Sequence, residues 1–155
     1  MKTKNLLIIA HAPSDNTKKM VTSVLRGASH ADTMSTVVRI LSPTDATAAD
    51  ILSADALIIG TIENLGYMSG LTKDLFDRCY YPCLDKTEGL PVALYIRAGH
   101  DGTGTIRSLQ SIFTGLRWKL VQEPLVCKGD FDNKFLKECE ELGQTIAISL
   151  DVGII

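Results

Sequence analysis

Residues 54–78 read ADALIIGTIENLGYMSGLTKDLFDR. The stretch opens on a continuous apolar run, Ala56–Gly60, of the kind expected for a strand covered on both faces. It then passes through eleven residues (60–70) rich in small and turn-forming types. Finally it enters a pattern that places Leu71, Leu75, Phe76, Cys79 and Tyr80 on one helix face. Strand, long connection and helix make a βα unit. Ser69 is the natural cap of that helix.

The same unit recurs on either side. Leu6–Ala10, Thr36–Leu41, Val92–Arg97 and a weaker run over 120–128 read as further strands. Helical stripes follow them: Met20, Val21, Val24, Leu25 and Ala28; then Ile106, Leu109, Ile112, Phe113 and Leu116; then Phe135 to Leu150. A shorter helix over 46–52, capped by Thr44 or Asp45, fits between the second and third strands. Parallel neighbours need crossover connections, so five βα units imply an α/β fold with helices on both faces of a parallel sheet. Five strands in a chain this short favour the doubly wound order 2-1-3-4-5, with ligands beyond the carboxyl ends of the strands.

A chain of 155 residues is read as one domain, 1–155, able to bury a core without disulfides. The formal net charge of −2, with no basic stripe, argues against nucleic acid as a partner. No apolar run has membrane-spanning length, and the N-terminus lacks the pattern of a signal peptide, so a cytoplasmic location is expected. The four cysteines (79, 83, 127, 139) are most simply core residues. CYYPC lacks the second ligand pair that a zinc site needs.

Three loops lie at the predicted ligand rim. APSDNT (12–17) offers Ser14, Asn16 and Thr17 at a helix start, which suits either a phosphate monoester or a plain N-cap and turn. GTIENLGYMSG (60–70) reads as an extended loop whose Gly66 and Gly70 let backbone approach a flat ring; otherwise it is a surface loop. RAGHDGTGT (97–105) is a glycine-rich donor surface carrying His100. It lacks the spacing of a dinucleotide fingerprint. No convincing catalytic triad is present.

On these residues the chain resembles the flavodoxin-like FMN proteins. APSDNTKK after LLIIAH is similar to their phosphate loop, and residues 54–78 resemble NADPH-dependent FMN reductases and NAD(P)H:quinone oxidoreductases. The resemblance implies a three-layer flavodoxin-like fold with FMN as cofactor and NADPH or NADH as reductant. Ser14, Asn16 and Thr17 would hold the phosphate, with backbone from Pro13 through Asp15 to Lys18. Thr61, Ile62, Glu63, Asn64, Gly66, Tyr67 and Met68 would line the ribityl chain and the ring. Ala98, Gly99, His100 and Gly104 would lie along the pyrimidine edge. Ala12, Asp15, Ile62 and Glu63 depart from the family pattern. The two carboxylates are each expected to weaken binding of an anionic ligand by about 1 kcal/mol when solvated.

The resemblance implies an NAD(P)H-dependent oxidoreductase reducing a quinone, a flavin or another small acceptor, with a homodimer as one arrangement. Two alternatives stay open. One is a flavodoxin-type carrier serving a redox protein partner, although a strongly acidic face and a flanking Trp–Tyr pair are missing. The other is a cofactor-poor binding module on the same fold.

Overall fold

The computed structural model describes residues 2–155. Seven strands and five helices alternate along it: β1 (Lys4–Ala10), α1 (Asp15–Ser29), β2 (Thr36–Leu41), α2 (Ala48–Leu52), β3 (Ala56–Asn64), β4 (Tyr67–Met68), α3 (Gly70–Cys83), β5 (Pro91–Ala98), α4 (Thr103–Leu116), β6 (Lys119–Leu120), β7 (Leu125–Lys128) and α5 (Lys134–Asp151). The sheet runs β2-β1-β3-β5-β6, with β7 also paired to β5. All of these ladders are parallel. The predicted order therefore holds, with two local corrections.

The first correction concerns the fifth strand. The run over 120–128 is not continuous: β6 and β7 each pair with β5, Val121 still donates to Val92 O at 3.0 Å, and residues 122–124 leave the ladder between them. Pro124 has no N–H to give to a ladder, which makes it a natural place for the break. The second concerns residues 60–70, which form a hairpin rather than an extended loop. β3 continues to Asn64 and turns back through Leu65 and Gly66 into β4, pairing Glu63 with Met68 and Asn64 with Tyr67. Leu65 (φ 52°) and Gly66 (φ 74°) are both left-handed, as a two-residue hairpin turn requires.

Continuous apolar strands pay into two cores at once. Leu7, Ile9, Leu57, Ile59, Val92, Leu94 and Ile96 meet α2, α3 and α4 on one face. Leu6, Ile8, Ala56, Ile58, Ala93 and Tyr95 meet α1 and α5 on the other. The four cysteines are all buried in these layers. Trp118 is buried against Phe76 and Phe113, and its indole N–H donates to Thr87 Oγ1 at 2.7 Å. It is a core residue beside the start of β5, remote from the rim.

Most helix starts follow from local chemistry. Ser69 caps α3 as expected, accepting from the Thr72 N–H. The short helix begins later than predicted, because Thr47 rather than Thr44 or Asp45 caps it in a reciprocal box with Asp50. No described helix is long and apolar enough to cross a membrane.

α1 and α5 touch backbone to backbone. A Cβ at Gly27 would overlap the Glu140 carbonyl, and one at Gly143 would overlap the Val24 carbonyl. The substitution Gly143→Ala forces the helices apart and is expected to cost about 1–3 kcal/mol, read as a lower urea midpoint at unchanged slope.

Asp151 ties the end of α5 to the start of β2. It accepts from the N–H groups of Met34 and Ser35, each at 2.9 Å, and from the hydroxyls of Ser35 (3.1 Å) and Thr36 (2.9 Å). The Met34 and Ser35 amides above all hold its carboxyl far below the usual carboxylate range. A folded pKa below the unfolded one gives stability that is complete above about pH 4 and fades as pH falls below that value. Asp151→Asn should therefore lower the urea midpoint near pH 7, and the gap from the parent should close on acidification. A gap independent of pH would show that the carboxylate charge contributes nothing.

Candidate functional site

β1, β3 and β5 end at the same edge of the sheet, and each leads into one of the three loops read from sequence. The first loop begins at His11, whose N–H donates to Gly60 O at 2.9 Å and so moors it to β3. Burial holds the His11 imidazole below its ordinary pKa, which keeps it neutral near pH 7. Sequence reasoning passes over His11 because a histidine after a strand gives no signal of its burial.

Ser14 caps α1. Its hydroxyl accepts from the Thr17 N–H at 3.2 Å, and its own N–H donates to Thr17 Oγ1 at 2.9 Å. The two hydroxyl oxygens lie 2.8 Å apart. Thr17 is buried, whereas Pro13, Ser14, Asp15, Asn16 and Lys18 are exposed. Lys18 closes the first helical turn by donating to Ser14 O at 2.9 Å. The N–H groups of Asp15 and Asn16 precede the first intrahelical bond and have no protein acceptor among the described residues. Both alternatives for this loop are thus built into it: a complete cap, and free amides at the positive end of a helix.

The second and third loops are joined. Glu63 Oε1 accepts from the His100 N–H at 3.0 Å, and its Oε2 accepts from the Gly102 N–H at 2.9 Å. Gly104 presses against the hairpin turn, where an added Cβ would overlap the Gly66 carbonyl. Sequence reasoning chooses Gly99 and Gly104 and omits Gly102, whose amide is the one committed here. The available signal was a glycine just before the α4 stripe, and the structure gives it the left-handed backbone (φ 70°) that favours glycine.

The remaining residues divide between structure and surface. Thr61 is buried, with its hydroxyl 2.8 Å from that of Thr72, which in turn lies 2.8 Å from Ser69 Oγ. The Thr61 side chain therefore serves the root of the hairpin. Met68 and Ala98 are buried and Ile62 is half-buried, while Asn64, Gly66, Tyr67, Gly99 and His100 are exposed. Among the described residues no group of three or more His, Cys, Asp or Glu side chains is placed to hold a metal.

No model of a known protein family matches the chain. A flavodoxin of Aquifex aeolicus (strain VF5) is 32% identical over 111 residues, which are 72% of this chain and 59% of that relative. Among solved structures, a flavodoxin from the domain Archaea superposes with a TM-score of 0.77 at 18% identity, covering 94% of this chain and 98% of the other. Flavodoxin 1 from Bacillus cereus gives 0.75 at 16% identity, covering 99% of each chain. The fold is flavodoxin-like. A flavodoxin, WrbA-like protein from Agrobacterium tumefaciens shares it, with a TM-score of 0.71 at 16% identity and coverage of 96% and 98%. In a flavodoxin-like sheet the crevice beyond the strand ends, at the switch in strand order, is the ligand position. That is the rim built from these three loops.

The residues present suit FMN unequally along its length. Where the phosphate would lie, the free Asp15 and Asn16 amides at the head of α1 offer an anion two donors, with the Asp15 carboxylate opposing it and the Ser14 hydroxyl already bonded to Thr17. Where the ring would lie, the His100 and Gly102 amides already have an acceptor in Glu63. Removing the cap hydroxyl by Ser14→Ala should destabilise the protein by about 1 kcal/mol, measured by urea unfolding. An unchanged midpoint would remove Ser14 from the account of how α1 starts.

Proposed function

We propose that the chain binds FMN across this rim and uses it to move electrons as a small flavodoxin-type carrier. FMN binding is supported by the free pair of amides at the head of α1, at the same sheet edge as the two joined loops, and the carrier role by the likeness to the Aquifex aeolicus flavodoxin. Ser14, Asn16, Thr17 and the Asp15 amide would hold the phosphate. Tyr67 and the backbone of 61–68 would flank the ring, and the 98–104 loop would meet its pyrimidine edge. When bound, FMN supplies one- and two-electron transfer at its ring; the chain supplies the cradle, the orientation and the local field.

The second reading is an NAD(P)H-dependent oxidoreductase that reduces a quinone, a flavin or another small acceptor. Residues 54–78 favour it, as does the exposure of the apolar Leu65, Tyr67 and Leu71 in and just after the hairpin, since a flat acceptor needs apolar surface.

Titration of the purified chain with FMN, followed by quenching of flavin fluorescence, tests the shared part of both readings. Absence of saturable binding overturns both. Thr17→Ala should weaken FMN roughly tenfold or more while leaving riboflavin, which lacks the phosphate, unaffected. Equal losses for both ligands would show that the phosphate loop is misplaced. Rapid bleaching of bound flavin by NADH or NADPH would select the oxidoreductase over the carrier.

A further inference from the structure

The contact that the flavin reading leaves unused is the Glu63 clasp. Its carboxylate spans the third loop with one oxygen on each of two amides, at 3.0 Å from His100 N and 2.9 Å from Gly102 N. Hydrogen bonds from amides to a carboxylate are about twice as strong as neutral ones. Among the described residues no Lys or Arg forms an ion pair with Glu63, so these two amides carry the compensation for a half-buried charge. On the FMN reading they are also the donors that the ring's pyrimidine edge would meet.

The surrounding backbone leaves little room for another arrangement. The hairpin is held by its ladder to β3, by the buried Met68 side chain and by the seat of Gly66 on Gly104. Gly102 is itself wedged against Val126 Cγ1, 3.2 Å from where a Cβ would stand. The Glu63 side chain, with its three rotatable bonds, is the part of the clasp that can leave without disturbing those contacts.

We propose that Glu63 is an internal occupant of the ring-end donor site, and that a flavin gains the His100 and Gly102 amides only by displacing its carboxylate. This inference rests on the reading of the rim as an FMN site. It assigns Glu63 a defined role: it lowers affinity for the ring by holding the two amides that the ring would take. A residue that merely pinned the loop would have the opposite effect on binding when removed.

The sign of the change in affinity is therefore the test. FMN and riboflavin are titrated separately into the parent, Glu63→Gln and Glu63→Ala, and thermal unfolding verifies that each variant is folded. Glu63→Gln keeps the shape and removes the charge. Both variants should bind both ligands roughly tenfold or more tightly, because the gain lies at the ring end, which the two ligands share. The His100 and Gly102 amide resonances of the ligand-free protein should move in the variants. Flavin binding to the parent with equal or weaker binding to both variants overturns the internal-occupant role and leaves the FMN site standing. No flavin binding to parent or variants overturns the FMN reading, and this inference with it.

Discussion

Burial of β1, β3 and β5 on both faces is the constraint on which the rest of the molecule depends. A strand with two apolar faces and parallel neighbours on both edges is usable only inside three layers. The chain must then return over the sheet after each strand, and the outgoing loops all gather at one edge. Leu6 to Ala10 and Ala56 to Ile59 are each buried almost completely, which fixes the register of β1 against β3. A slip of one residue would exchange the two cores' side chains. The level of the rim, and hence the meeting of its loops, is set by that register.

The helix layer transmits the same precision to the site. α1 lies directly against α5, because Gly27 and Gly143 let the two backbones meet without intervening side chains. The head of α1 is thereby held beside the end of β1, where Ser14 and Thr17 complete the cap. On the opposite layer, the hairpin of residues 63–68 rests on the first turn of α4. Glu63 then closes the gap that backbone contact leaves between these two loops.

Much of this was legible in the sequence, and the remainder has identifiable causes. Apolar runs and helical stripes reveal strands, helices and strand order, because two-sided burial leaves a continuous signature. Ser69 reads as a cap because its partner, Thr72, is local. The hairpin was hidden because its turn is Leu-Gly rather than the familiar Asn-Gly, and Leu65 adopts a left-handed backbone that its side chain does not advertise. The clasp was hidden for another reason. Glu63 lies 37 residues from His100 and 39 from Gly102, so its charge reads from sequence as a repulsion when in the fold it is matched by amides.

The interrupted edge of the sheet has a further consequence. Between β6 and β7 the backbone leaves the ladder over residues 122–124 while both flanking segments stay paired to β5. The two anchors already hold the ends of that excursion in place, so added chain there extends a closed loop rather than opening a new one. Doubling such a loop costs only about 0.6 kcal/mol of closure entropy. The edge is thus a natural point of growth, where descendants of this chain can acquire a new surface without disturbing the sheet or the rim.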